Sequence, residues 1–241
     1  NAARVQSLEA SLRRAQRRVP EALALLDHGV AIDRWGETPA LLLGKARALF
    51  ELGDYTASIG ALQAAMGTID GDRAPRLRWV ALSLLLHDLC FLGRFAAAAE
   101  GLPELRELGR KLGNRLDLVR LRWLEGKVAA GLGRPEEALA ALAGVRESFE
   151  ALGSSYDVAL VTVELAEVLA GIGRHAEVRR LARESLPIFR DQRVHVEAQR
   201  ALALFCRAAE EERASVELLR SLLSYLYRAR HDPQLRFEAA A

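Results

Sequence analysis

Leu132-Gly133-Arg134-Pro135 is one of four copies of a short phrase; the others are Leu52-Gly53-Asp54-Tyr55, Leu92-Gly93-Arg94-Phe95 and Ile172-Gly173-Arg174-His175. The glycines stand at 53, 93, 133 and 173, a strict interval of 40 with no insertion or deletion. A fixed period of this length marks an array of stacked supersecondary units, so it decides the fold before any local detail is read. Each phrase ends one apolar, alanine-rich run and begins another. A helix commonly terminates on a residue in the left-handed conformation, which glycine adopts without a Cβ penalty. At Pro135 the next helix opens on a first-turn position, where the missing N–H costs nothing. The unit is a helical hairpin.

Working outward, both turns of the hairpin repeat: Leu112-Gly113-Asn114 recurs as Leu152-Gly153-Ser154. The pattern predicts helices over 40–52, 55–67, 76–92, 95–112, 115–132, 135–152, 156–172 and 175–190, with 194–211 and 214–230 closing the array. Val5, Leu8, Leu12 and Ala15 fall at helical spacing over 2–17, and Pro20-Glu21 opens a partner helix. This first pair looks like a degenerate repeat, with Arg17-Arg18 standing roughly where the glycine phrase should be, 36 residues before Gly53; terminal repeats are often atypical because one side lacks a neighbour. Asp191-Gln192-Arg193 replaces the expected Leu-Gly in the last turn between repeats. Asp70 to Pro75 reads as a loop, and a place where the array could bend. The tail from His231 to Ala241 leaves helical register at Pro233; it is expected to be extended, with Leu235 and Phe237 returning to the last helix.

The expected fold is therefore all-α, a right-handed superhelical solenoid of about six antiparallel helix hairpins, forming one repeat domain over 1–230 with a tail over 231–241. Composition agrees. The chain has 241 residues, 51% hydrophobic and only 6% aromatic, rich in alanine and leucine as closely packed helices require. Net charge is +2, from 34 basic and 32 acidic residues, which does not advertise a nucleic-acid-binding domain. Cys90 and Cys206 lie far apart inside helical runs and read as reduced thiols of a cytoplasmic protein. No run of about 18 apolar residues indicates a membrane span, and no signal peptide is visible. The chain opens at Asn1 directly in helical sequence, which suggests a preceding segment.

The residues then carry a resemblance. Gly126, Gly133 and Ala138, and Ala166 and Gly173 with Leu165 and Leu169, resemble the tetratricopeptide pattern of small residue, turn glycine and small residue in the second helix. Ala46, Ala98 and Ser58 fill matching slots, while Ser58 and Val178 depart from the usual small residue of the second helix, implying wider helix separation there. The period of 40 is similar to the longer tetratricopeptide-like repeats found in the arms of bacterial signalling and transcription regulators. The resemblance covers about residues 20–230. It implies protein or peptide binding on the concave face formed by the first helices.

Stepping by 40 along the first helices locates that face. Arg47, His87, Lys127, Glu167 and Arg207 are polar at every step, whereas Ala46, Leu86, Gly126, Ala166 and Cys206, and Leu49, Leu89, Ala129 and Leu169, are apolar or small. The first set is a charged row and the others are core. Residues three, four and seven apart share a helical face. Arg120, Arg200 and Trp123 therefore join the row, with Trp123 near its centre. Tryptophan and arginine often dominate interface energy. The expected ligand is a protein or an acidic or carboxylate-terminated peptide, held by charge-assisted hydrogen bonds. A solvated helix face for the row, and core packing for Trp123, are the structural alternatives.

Other chemistry is not indicated. His28, His87, His175, His195 and His231 are dispersed, without HExxH or Cys/His metal spacing, so no metal or cofactor is expected. No phosphate-binding glycine motif follows a strand and no Gly-x-Ser-x-Gly occurs; Glu210-Glu211-Glu212 reads as a solvated helix end, and an enzyme is not expected. The basic clusters Arg13-Arg14…Arg17-Arg18 and Arg179-Arg180…Arg183 lie beside acids and lack interleaved aromatics, a poor match to a phosphate-tracking groove. The reading is a non-enzymatic interaction or sensor module. Its alternatives are a regulatory domain of a transcription regulator or anti-sigma-like protein, and a homo-oligomeric self-association arm using the end helices over 2–17 or 216–226.

Overall fold

Twelve α-helices follow one another among the described residues of the computed structural model, which are 2–34, 36–190, 194–230, 232 and 234–237. They are α1 (Ala2–Ala15), α2 (Val19–Ile32), α3 (Thr38–Glu51), α4 (Tyr55–Thr68), α5 (Pro75–Phe91), α6 (Phe95–Leu112), α7 (Arg115–Gly131), α8 (Pro135–Ala151), α9 (Ser155–Gly171), α10 (His175–Phe189), α11 (Val196–Glu210) and α12 (Val216–Ala229). The all-α class and the sequential hairpins agree with the period. The replaced turn at 191–193 lies outside the described residues.

The turn chemistry explains the hairpins. Gly53, Gly93, Gly133 and Gly173 have φ of 80°, 68°, 71° and 76°. At Gly133 the helix closes by two backbone bonds, Arg134 N–H to the Ala129 carbonyl at 2.9 Å and Gly133 N–H to the Ala130 carbonyl at 3.1 Å. This pairing satisfies carbonyls that the helix end would leave unbonded. The same closure ends α1 without a glycine: Arg17 has φ 62°, and Arg18 and Arg17 donate to the Arg13 and Arg14 carbonyls. It also ends α11, where Glu212 has φ 55°. A few helix starts carry side-chain caps, with Asp54 accepting from Ala57 N–H and Ser215 from Leu218 N–H.

The chain divides into two compact units, Asn1–Leu121 and Arg122–Ala241, with the boundary inside α7. In the first unit each helix from α1 to α6 packs on its neighbour in sequence, and α3 also touches α1 and α5. Its core is a stack of leucines and alanines, with Leu41, Leu62, Ala65 and Leu86 at or near zero exposure. Alanine at contact positions lets helix axes approach closely. The aromatic group of Phe50, Tyr55, His87 and Phe91 packs between α3, α4 and α5, with ring centroids 4.9–5.5 Å apart.

In the second unit α8 packs on α9, α9 on α10 and α10 on α11. The final helix α12 touches α11 and packs most extensively on α9, a pairing the period does not encode. Thirteen of the seventeen residues of α9 are buried as a result, with Leu160, Val161 and Val163 at zero exposure. A helix apolar on nearly all sides requires cover on nearly all sides, and α12 supplies the last of it. The tail returns as the sequence suggests at two positions. Phe237 packs on Tyr225 with ring centroids 5.2 Å apart, and Tyr225 donates to the Leu235 carbonyl at 3.0 Å.

Candidate functional site

In the first unit the first-helix row carries Arg47 on α3 and His87 on α5, with Arg120 at the start of α7. Ala46, Leu49, Leu86 and Leu89 are buried, as core columns should be. Arg47 and Arg120 are exposed, and neither has an ion pair or hydrogen bond within the described residues. Partial removal from water, followed by the charges of Arg14 and Arg120, holds the Arg47 guanidinium below its ordinary pKa. Arg14 itself pairs with Glu51. The locus is thus a concentration of positive charge with one carboxylate to offset it. His87 is half-buried and belongs to the aromatic group of α3, α4 and α5.

Beneath this row lies a polar pair that the stepping rule for polar rows overlooks. Asp88 is 1% exposed, and its Oδ2 lies 2.5 Å from the Ser58 hydroxyl, which is also 3.0 Å from the Ala46 carbonyl. Burial pushes the Asp88 carboxyl up to about 7, against the opposing effect of the Ser58 hydrogen bond. Ser58 therefore partners a carboxyl and does more than space two helices.

In the second unit α12 covers part of the row. Trp123 is 9% exposed and Lys127 is half-buried, both underneath α12. Glu164 on α9 gathers the group. Its Oε1 accepts from the Tyr227 hydroxyl of α12 at 2.7 Å and lies 3.1 Å from the Lys127 Nζ, while its Oε2 accepts from the Trp123 indole N–H. The ammonium of Lys127 also donates to the Tyr227 hydroxyl at 3.0 Å and sits 4.4 Å from the Tyr227 ring centroid, and Trp123 stacks at 6.2 Å from that ring. Burial, reinforced by the adjacent Glu164, raises the Tyr227 phenol well above its ordinary pKa and keeps it a hydrogen-bond donor.

Further contacts edge this centre. Glu167, the next row residue, receives Arg220 of α12 at 2.8 Å; burial is the largest influence on its carboxyl and raises its pKa. Arg230 meets Asp157 at 2.8 Å, and Tyr156 donates to the Leu226 carbonyl at 2.7 Å. The Nδ1 of His195 accepts from Ala198 N–H, so its Nε2 carries the proton donated to the Ala229 carbonyl at 2.9 Å. Arg207 is exposed, and Arg200 is exposed and paired with Glu197. The structure therefore brings Trp123, Lys127 and Glu167 together under α12, and leaves Arg200 and Arg207 on an open part of α11.

A signal for the missed residues exists in the same period. Asp88 stands in a column otherwise filled by Ala48, Val128, Val168 and Ala208, and Glu164 in one filled by Gly44, Leu84, Leu124 and Leu204. An acid in an apolar column announces a buried polar contact. Among the described residues no group of three His, Cys, Asp or Glu side chains could hold a metal ion, and no helix is long and apolar enough to cross a membrane.

No protein-family model matches the chain, and no curated protein matches its sequence. Solved structures do match in shape. A Rap protein, in its complex with Competence and Sporulation Factor, aligns with a TM-score of 0.68 at 12% identity, covering 97% of this chain and 75% of that one. BtubC (BKLC) from P. vanneervenii aligns with a TM-score of 0.56 at 16% identity, covering 100% of this chain and 98% of that one. At these identities the likeness is one of fold, and it agrees with the turns and the period: the chain is an all-helical repeat protein.

Proposed function

We propose that the chain is a non-catalytic, tetratricopeptide-like interaction module that takes an acidic protein segment or peptide on the first-helix row of its first unit. The observation that carries this reading is the state of Arg47, an exposed guanidinium with no ion pair within the described residues, set among Arg14 and Arg120. A guanidinium cluster offset by a single carboxylate gains from another, through bidentate charge-assisted hydrogen bonds. The Rap protein found in complex with a factor supports a ligand-binding use of this fold. Fluorescence anisotropy against matched acidic, neutral and basic decapeptides tests the reading. Wild type should select the acidic set, and an Arg47→Glu/Arg120→Glu double variant of unchanged helicity should lose at least tenfold in affinity. Selection that ignores peptide charge, or survives the double reversal, would remove the site.

A second reading, self-association, is favoured by one observation. Val5, Leu8 and Leu12 on α1 are 57%, 66% and 55% exposed, an apolar stripe at helical spacing on an end helix. Under this reading sedimentation equilibrium shows mass rising with concentration, and Leu8→Glu returns the protein to a monomer. A concentration-independent mass in wild type rejects it.

A further inference from the structure

The second unit covers part of its own first-helix row with a helix from the same chain, and the manner of that cover is informative. Residues Leu219, Leu222, Leu223 and Leu226 form the buried stripe of α12, at spacings of three and four. Such a stripe is how an amphipathic helix is read by a receiving groove. Tyr227 supplies a buried aromatic in the last turn of the helix, held by Glu164, Lys127 and Trp123. Around it lie ion pairs made by exposed arginines, Arg220 with Glu167 and Arg230 with the buried Asp157. An apolar strip, a buried aromatic anchor and a polar rim are the anatomy of a docked interface.

The connection fits the same picture. Residues Glu211, Glu212 and Arg213 between α11 and α12 are exposed, and the turn rests on Glu212 in the left-handed region rather than on a glycine. The helix is thus tethered by a short joint, exposed except at Ala214 and held to Arg179 through Glu212, and lies chiefly on α9, two helices before its neighbour in sequence.

We infer that α12 is a resident ligand: the α7–α9 face of the second unit is a helix-receiving groove, closed by α12, that accepts in its place a partner's amphipathic helix of the same pattern. That pattern is leucine at i, i+3, i+4 and i+7, a basic residue at i+1 for Glu167, and tyrosine at i+8 for Glu164 and Lys127. The inference deepens the interaction-module reading by naming a second partner class on a different part of the row.

The test uses the whole protein with a specific protease site inserted between Glu212 and Arg213, cut after folding. The probe is a fluorescein-labelled synthetic peptide of residues 215–230. It should bind the cut protein and exchange with the cleaved helix, bind the uncut chain at least tenfold more weakly, and lose tenfold again when made with Arg220→Glu. Circular dichroism after the cleaved fragment has been removed should show α8–α11 still helical. On uncut wild type, hydrogen exchange should show α12 opening at least tenfold more often than α9 and α10, and Tyr227→Phe should widen that gap. Failure of the peptide to exchange, collapse of the remaining helices, or α12 opening only with global unfolding would each overturn the inference. The Arg47→Glu/Arg120→Glu variant should leave this titration unchanged, so failure here is separable from failure of the acidic-peptide reading.

Discussion

Asp88 shows how much one side chain can set the behaviour of its unit. The Ser58 hydroxyl has one proton and sits within hydrogen-bond distance of two oxygens, the Ala46 carbonyl and Asp88 Oδ2. That proton serves both acceptors, and its bond to Asp88 opposes but does not outweigh the effect of burial on the carboxyl. Burial raises the Asp88 pKa from 3.8 to about 7, so the folded state holds the carboxyl proton where the unfolded state has lost it. The sign follows: the favourable contribution is complete below about pH 4, is lost as pH rises toward 7, and changes little above 7. The full loss is on the order of 4 kcal/mol, the free-energy equivalent of that displacement. Asp88→Asn keeps the shape and removes the titration. Urea unfolding at several pH values should show the variant gaining on wild type from pH 4 to 7 and exceeding it at pH 8 by roughly 2 kcal/mol; a difference independent of pH would refute the assignment. The acid was legible as an outlier in its column, but its partner was not. Ser58 lies 30 residues away, and the 63 residues between Glu164 and Tyr227 cross from α9 to α12, a pairing that no single period contains.

At the scale of the element, the turns were legible where glycine marked them and hidden where it did not. Gly133 has φ 71°, and a Cβ built there meets nothing within 4 Å, so only backbone strain opposes a side chain. Gly133→Val should cost about 1–2 kcal/mol in thermal or urea unfolding, more if the branched side chain shifts the turn. Gly144 in α8 also has open space but no positive φ, and Gly144→Ala should instead stabilise by about 0.5–1 kcal/mol through helix propensity. The reverse experiment belongs to α1. Arg17 already occupies the left-handed slot at φ 62° and is exposed, so Arg17→Gly should relieve strain and stabilise by roughly 0.5 kcal/mol. A destabilised Arg17→Gly would mean that other interactions of the arginine outweigh its strain. The left-handed Arg17 lies 36 residues before Gly53 and Glu212 lies 39 after Gly173, both short of the period of 40, and neither is a small residue, so residue type did not mark either turn.

On the scale of the whole molecule, a repeat chain distributes its stability differently from a single globular core. In the first unit contacts run mainly between neighbouring helices, and in the second they close on themselves when α12 returns to α9. Stability in such arrays is approximately a sum of repeat terms and nearest-neighbour terms. A change at Asp88 should therefore be felt locally, and so should one at Tyr227, which shares no partner with it. Native-state hydrogen exchange at pH 8 makes the distinction. Asp88→Asn should raise protection across α3 to α6 several-fold and leave α9, α10 and α12 near wild type; Tyr227→Phe should lower protection in α12 and leave α3 to α6 alone. The double variant should show both effects unchanged in size. A uniform rise across all twelve helices in Asp88→Asn would mean that the chain opens as one cooperative body, and local opening of α12 would then lose its physical basis. Local opening, by contrast, is what lets a groove in one unit exchange its occupant while the arginine row of the other stays formed and ready to bind.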